Sequence, residues 1–271
     1  MLEVGENQVI LALKRLGVQA GDGLLVHSAV QFLGRPTGGI GMYLDALRAV
    51  IGPQGTLAVP AFNFDFASGK PFNLKETPAK GMGTFSEYVR QQSHAQRTSH
   101  PLQSLALIGA SAAELAKRDT PSAFDTGSAF EGLLKLDFKL LLLGADIQAV
   151  SMIHYSEQRL AVPYRYWKDF TGRVYNGQDW ETRTYRMYAR DLEVNARLDL
   201  RSVQALMESR GQWAAEQLNY GWVSLFRLVN FVSAADHLLT GDPWALVGNR
   251  DEAFQRFITL RTQPTRTVAE K

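Results

Sequence analysis

The sequence predicts an α/β protein with a mixed, largely parallel central sheet flanked by helices. An antiparallel hairpin or flap is expected around residues 164–190, followed by a helical C-terminal region. Three observations carry this reading. Leu24-Leu25-Val26-His27-Ser28, Thr56-Leu57-Ala58-Val59-Pro60 and Lys139-Leu140-Leu141-Leu142-Leu143-Gly144 are short apolar runs, as expected of strands buried on both faces. A stretch with helical spacing separates the first two runs. Asn176-Gly177 stands between two segments that alternate aromatic with polar residues, a strong hairpin signal. Ligands bind beyond the carboxyl ends of such strands. His27 ends the first run and His154 follows the third, so those ends are where chemistry is expected.

Each element follows from local pattern. Residues 6–16 form an amphipathic stretch ended by Gly17, and Ala20-Gly21-Asp22-Gly23 turns the chain into the first strand. Gly34-Arg35-Pro36-Thr37-Gly38-Gly39 is a loop, and residues 42–51 repeat Leu44, Leu47 and Ile51 at helical spacing. Gly52-Pro53-Gln54-Gly55 turns into the second strand. The resulting strand–helix–strand unit favours a parallel pair. Residues 61–84 show no sustained period, and a loop of that length inside a domain is expected to be functional. A short helix over 84–92 is predicted with Thr84 as its cap. Ser104 to Gly109 reads as a strand and 110–117 as a helix, and the alternation continues to 162. A helix starting near Ala149 carries His154. Residues 200–240 read as mostly helical. One domain is expected over 1–262, with a polar tail over 263–271.

Composition narrows the function. The 271 residues carry 29 Lys+Arg against 27 Asp+Glu, and no block of like charge suggests a nucleic-acid face. No apolar run approaches the ~20 residues of a membrane helix. The first residues show no charged-then-apolar signal pattern, so a soluble, cytoplasmic protein is expected. Cysteine is absent, which excludes disulfides, thiolate metal sites and a cysteine nucleophile.

The five histidines separate by context. His154 and Glu157 stand i, i+3 on one helix face, where a carboxylate can orient an imidazole as a general base. An ordinary partly buried helix pair has the same spacing. A metal site lacks further ligands in H-x-H or H-x-x-x-H spacing. His100 lies in Arg97-Thr98-Ser99-His100-Pro101, a basic, hydroxyl-rich turn suited to phosphate or to a plain surface turn. His27-Ser28 offers donors at a strand end, or else a buried histidine satisfied by backbone. Gly38-Gly39 before a helix can receive an anion but forms no Walker motif. His94 and His237 suggest no role. Ser28 and Ser156 lack the G-x-S-x-G elbow of a hydrolase.

Taken together, Leu25-Val26-His27-Ser28, Gly38-Gly39, Gly52-Pro53-Gln54-Gly55-Thr56-Leu57 with Pro60, Arg97-Thr98-Ser99-His100-Pro101, Leu141-Leu142-Leu143-Gly144, His154-Tyr155-Ser156-Glu157 and Val162-Pro163-Tyr164 occur in that order. Over residues 5–195 the chain resembles the aminoglycoside 3-N-acetyltransferase, or antibiotic acetyltransferase, family. The resemblance implies an α/β fold, acetyl-CoA as acyl donor, no metal, and transfer to the amine of an amino sugar. By the same resemblance His154 is the general base and Glu157 its carboxylate. His27, Ser28, Arg97, Thr98, His100 and Ser104 fall in segments expected along the coenzyme A site. Antibiotic-modifying members carry an acidic motif after the hairpin. Asp191 is the nearest candidate here, and Arg190 stands where an acid is expected. Ala29 replaces the second serine of the usual His-Ser-Ser strand end.

The expected reaction is direct acetyl transfer in a ternary complex. The arginines and aromatics of 164–190 favour an anionic, nucleotide-linked amino sugar over a polycationic aminoglycoside. A catalytically inactive coenzyme A- or sugar-binding homologue is the alternative. No nucleic-acid or membrane partner is expected, and a homodimer is left open.

Overall fold

Continuous apolar runs become strands when helices cover both faces of a sheet, and this sheet is covered on both. The computed structural model describes residues 2–262, so the tail expected over 263–271 lies outside the described residues. The chain begins with β1 (Glu3–Val4), α1 (Glu6–Arg15) and β2 (Gly23–Ser28), followed by β3 (Arg35–Pro36), α2 (Gly41–Ile51) and β4 (Thr56–Pro60). The long connection holds β5 (Phe72–Asn73) and leads to α3 (Gly83–Arg90), β6 (Gln96–Arg97) and β7 (Leu105–Gly109). Helices α4 (Ala112–Ala116) and α5 (Ala129–Lys135) precede β8 (Lys139–Leu143) and α6 (Ile153–Arg159). The hairpin β9 (Arg165–Tyr175) and β10 (Trp180–Arg190) follows, then α7 (Arg201–Ser209), β11 (Ala214–Leu218), β12 (Gly221–Arg227), α8 (Leu228–Gly241) and α9 (Arg250–Thr262).

The main sheet runs β11-β12-β8-β2-β4-β7-β6. Alternate residues of each central strand enter different cores, because side chains alternate across a pleat. Leu140 and Leu142 of β8 join Leu25, Ala58 and Leu107 under α4–α8. Leu141 and Leu143 join Leu24, Val26, Leu57 and Val59 under α1–α3. Leu140, Leu141, Leu142 and Leu143 are all fully buried, which explains a strand with no polar alternation. Among the described residues no helix is long and apolar enough to cross a membrane.

The sheet is mixed, as expected, but its parallel part is smaller than the sequence suggested. Within it only β2–β4 and β2–β8 are parallel. The flanking pairs β4–β7, β7–β6, β8–β12 and β12–β11 are antiparallel. The expectation of helix over 200–240 is also corrected, since β11 and β12 interrupt it as a tight hairpin. Asn219 adopts φ +55° in its two-residue turn, and Val223 and Leu225 point into the core. The helix predicted over 84–92 starts at Gly83 and has no side-chain cap. Glu87 instead accepts from the Ala79 backbone N–H at 2.7 Å and binds Arg90. The helix expected near Ala149 begins at Ile153, after a short 3-10 turn over Ile147–Ala149.

The hairpin forms as expected. It pairs from Tyr175↔Trp180 down to Arg165↔Arg190, with the Asn176 side chain accepting from the backbone N–H groups of Gln178 and Asp179. The long 61–84 connection is tied to it, because β5 adds in parallel to β9. A third apolar cluster, Phe66, Phe72, Leu102, Phe170, Val174 and Tyr185, fastens the pair.

Backbone proximity fixes one glycine at the β4–β7 contact. Gly109 has φ +128°, and a Cβ there would fall 2.1 Å from the Gly55 carbonyl oxygen. Gly109→Ala therefore combines a forbidden contact with a strained backbone, and a loss of about 2–3 kcal/mol is expected. Urea unfolding of the two proteins measures it, and a difference under about 0.5 kcal/mol contradicts this account of the contact.

Candidate active site

The chemistry gathers at the carboxyl end of the sheet, where α6 meets the base of the hairpin. His154 is the second residue of α6, and Glu157 follows one turn later on the same face. The His154 Nδ1 lies 2.6 Å from Glu157 Oε2. Arg165, the first residue of β9, places Nε 2.9 Å from Glu157 Oε1 and Nη2 3.2 Å from His154 Nδ1. Glu157 is fully buried, whereas the His154 side chain keeps 29% of its surface exposed.

Charges assign the protons. Burial pushes the Glu157 carboxyl up, but Arg165 and His154 outweigh it and hold it below the usual carboxylate range. An ionised Glu157 must receive the proton on Nδ1, which leaves Nε2 with its lone pair. Burial, then Arg165, lowers the His154 pKa against the opposing pull of Glu157. The ring is therefore neutral at pH 7, with a basic nitrogen and a fixed tautomer.

His154 lines a cavity of about 690 Å³ walled by Phe64, Gln103, Phe124, Tyr166, Tyr188 and Leu198. The long 61–84 connection supplies Phe64 and Ala67, so it does shape this site. Every charged side chain on the wall is basic: Arg165, Lys168 and Arg190. No Asp or Glu lines it among the described residues. Lys168 and Arg190 make no ion pair among the described residues, and Arg165 is already paired with Glu157. A second cavity of similar volume opens beside Ser28 and is bordered by Phe32, Trp213, Tyr220 and Trp222.

The residues expected along the coenzyme separate into two groups. Arg97 faces inward: its Nε donates to Ser104 Oγ at 3.0 Å, and its Nη atoms donate to the carbonyls of Ala61, Leu74 and Thr77. Burial, with Arg90 nearby, pulls the guanidinium down to about 9. Ser104 donates to Ala61, and Thr98 Oγ1 accepts from the Leu105 N–H. His100 accepts from the Gln103 N–H and reaches the Arg186 carbonyl, with its ring edge-on to Tyr185. Arg97 and its neighbours, expected to hold phosphate, are bonded within the chain here. Their donors and acceptors fasten three loops, because the groups that suit a phosphate also suit backbone carbonyls. His27 is buried too, and its Nε2 meets Ser151. Ser28 differs: its Oγ has no partner and it borders the second cavity.

Asp191 does not reach His154. Its Oδ1 accepts from the Glu193 and Val194 N–H groups, and the residue caps the turn that follows β10. One oxygen of Asp191, the acidic candidate expected in this region, is thus engaged with the backbone. Sequence reasoning missed Gln103 and the pairing of Arg165 with Glu157. The second was open to inference from Val162-Pro163-Tyr164-Arg165 closing a turn after α6, although nothing in the pattern selects Arg165 over Arg159.

Two buried histidines make stability depend on pH. Burial lowers His27 to about 3 and His100 to about 4, from about 6.5 when unfolded. Between those limits the unfolded chain binds more protons than the folded one, so stability falls as pH drops. Denaturant unfolding should show a steady loss from pH 6.5 down to about 4, reduced in His100→Asn. An unchanged midpoint across that window would show that these rings are not buried neutral.

Comparison with known proteins matches this geometry to a family. A model of the aminoglycoside 3-N-acetyltransferase family matches residues 25–240. The aminoglycoside N(3)-acetyltransferase III of a Salmonella species is 28% identical over 250 residues, covering 82% of this chain and 81% of its own. The apoenzyme structure of aminoglycoside acetyltransferase AAC(3)-IVa superposes with a TM-score of 0.76 at 22% identity, covering 94% of this chain and 98% of its own. The AAC-IIIb structure with CoASH gives a TM-score of 0.78 at 20% identity, covering 89% and 97%. These two share the fold. With most of its length under the family model, the chain belongs to the aminoglycoside 3-N-acetyltransferase family and is an acyltransferase.

Proposed function

We propose that the protein transfers an acetyl group from acetyl-CoA to the amine of an anionic sugar-like acceptor, with His154 as general base. One observation carries the reading: a neutral, carboxylate-oriented imidazole stands in a large cavity whose free charges are all positive. His154 Nε2 takes the proton as the amine nitrogen attacks the thioester carbonyl. The new C–N bond forms, the C–S bond breaks, and the proton returns to the leaving sulfur. No covalent acetyl-enzyme is required, and the chain contains no cysteine.

The donor's fit rests on Ser28 and α3. A relative binds CoASH in its crystal. Here α3 begins at Gly83 without a side-chain cap, and a Cβ on Gly83 would stand 3.3 Å from the Ser28 carbonyl oxygen. The first-turn N–H groups of α3, uncapped by any side chain and next to Ser28, suit a pyrophosphate.

The acceptor differs in charge from those of the relatives. AAC(3)-IVa has been crystallised with a gentamicin and with apramycin, both polycations. A cavity with Arg165, Lys168 and Arg190 repels such molecules and attracts phosphate or carboxylate. Tyr166 and Tyr188 supply flat faces for a sugar or base. A nucleotide-linked amino sugar combines all three chemistries.

Thiol release from acetyl-CoA tests both parts. His154→Ala should lose at least ~100-fold in turnover with coenzyme affinity retained, and near-normal turnover would remove His154 from the mechanism. Nucleotide amino sugars should outperform kanamycin-type acceptors. Lys168→Glu with Arg190→Glu should raise the KM for the anionic acceptor about tenfold and leave kcat near normal. Preference for the aminoglycoside, or no change in KM, refutes the anionic assignment.

A further inference from the structure

We propose that Gln103 is a catalytic residue whose side-chain Nε2–H donates to the acyl carbonyl oxygen as negative charge develops on it. This inference rests on the acetyl-transfer reading above and adds a group that neither the sequence motifs nor the family match assigns.

Gln103 is only 4% exposed, yet its side chain lines the His154 cavity. The Oε1 is sealed from solvent without a protein hydrogen-bond partner, and Nε2 is assigned to the cavity side. It also borders a water-sized space of about 10 Å³ shared with Thr98, Thr120 and Ser128. Only the amide oxygen is without a protein partner, and leaving such an atom buried costs about 1–3 kcal/mol.

The backbone beneath it is firmly held. The Gln103 N–H donates to His100 Nδ1 at 3.1 Å, and His100 Nε2 reaches the Arg186 carbonyl on the hairpin. Leu102 is fully buried in the cluster that fastens the hairpin, and its carbonyl accepts from the Asn63 N–H. The backbone that carries the amide is thus held before any substrate arrives, as an oxyanion donor requires.

The alternatives on the same wall are less suited to the task. Arg165 is committed to Glu157 and to the Tyr188 carbonyl, and Arg190 is exposed to solvent. Gln103 is a buried, neutral donor. In the reaction the amine nitrogen bonds to the carbonyl carbon and the π electrons move onto oxygen, which accepts the Gln103 N–H. Collapse restores the carbonyl, expels the sulfur, and hands that sulfur the proton held by His154.

The experiment uses acetyl-CoA labelled with ¹³C at the carbonyl, bound to the full chain and read by infrared difference spectroscopy. In the parent the carbonyl stretch should move to lower frequency than in buffer. In Gln103→Met it should return to the buffer value while calorimetry shows acetyl-CoA still bound. Turnover should fall ~100-fold or more with the acceptor KM unchanged. The thermal midpoint should stay level or rise, because an unpartnered buried amide oxygen has been removed. Gln103→Leu provides the same readings if the methionine variant fails to fold. A parent that binds no acetyl-CoA overturns the reading on which this rests. A carbonyl shift that survives in Gln103→Met, or turnover that stays near normal, overturns the Gln103 assignment alone.

Discussion

The site depends on one buried carboxylate. Glu157 lies at the centre of α6 with no exposed surface, and taking such a charge out of water costs several kcal/mol. Two neighbours offset that cost: His154 one turn earlier and Arg165 at the start of β9. The ion pair therefore ties a helix of the main layer to the hairpin that walls the cavity. Losing Arg165 would leave an uncompensated buried charge, a defect worth about 3–5 kcal/mol. It would also remove the charge that helps keep Glu157 ionised beside His154, so the same three residues carry stability and the proposed chemistry.

Most of the central fold was legible because its physics is local. The four consecutive leucines of β8 can be buried only between two layers, and Asn176-Gly177 marks a chain reversal whatever surrounds it. The i, i+3 spacing of His154 and Glu157 likewise needs only a helix. The antiparallel flanks were not legible, because β7 and β12 pair with strands far away in sequence and their direction is set by how the intervening chain returns. β11 and β12 were read as helix, since tertiary pairing overrides a weak local preference there.

The His154–Glu157 contact was legible in the sequence, but its surroundings were not. Arg97, Thr98, His100 and Ser104 carry the donors and acceptors a phosphate site would need. The same atoms instead satisfy the Ala61, Leu74 and Thr77 carbonyls and a turn N–H. Sequence cannot tell a ligand's oxygen from the chain's own. Asp191 shows the same ambiguity, as a carboxylate near the site that is used up on the N–H groups of the next turn. Gln103 gave no signal at all, because its meaning comes from a buried amide oxygen without a protein partner.

Register adds a constraint on charge. Arg165 stands directly opposite Arg190 in the ladder, an arrangement that is unfavourable when both charges are free. Glu157 cancels the first, so the surplus positive charge belongs to Arg190 and Lys168, while the base stays neutral deeper in. On the proposed reading, an amine arriving at His154 finds the uncancelled charges of Lys168 and Arg190 on the wall and no carboxylate there. Nearby positive charge disfavours an ammonium and lowers its pKa. On that reading the cavity favours the nucleophilic form of the acceptor before the proposed base, His154, takes a proton. An acidic pocket holds a polycationic substrate more tightly but stabilises the very protonation state that cannot react. On the proposed reading the basic wall gives up that affinity, and an anionic part of the acceptor supplies binding at a distance from the reacting nitrogen.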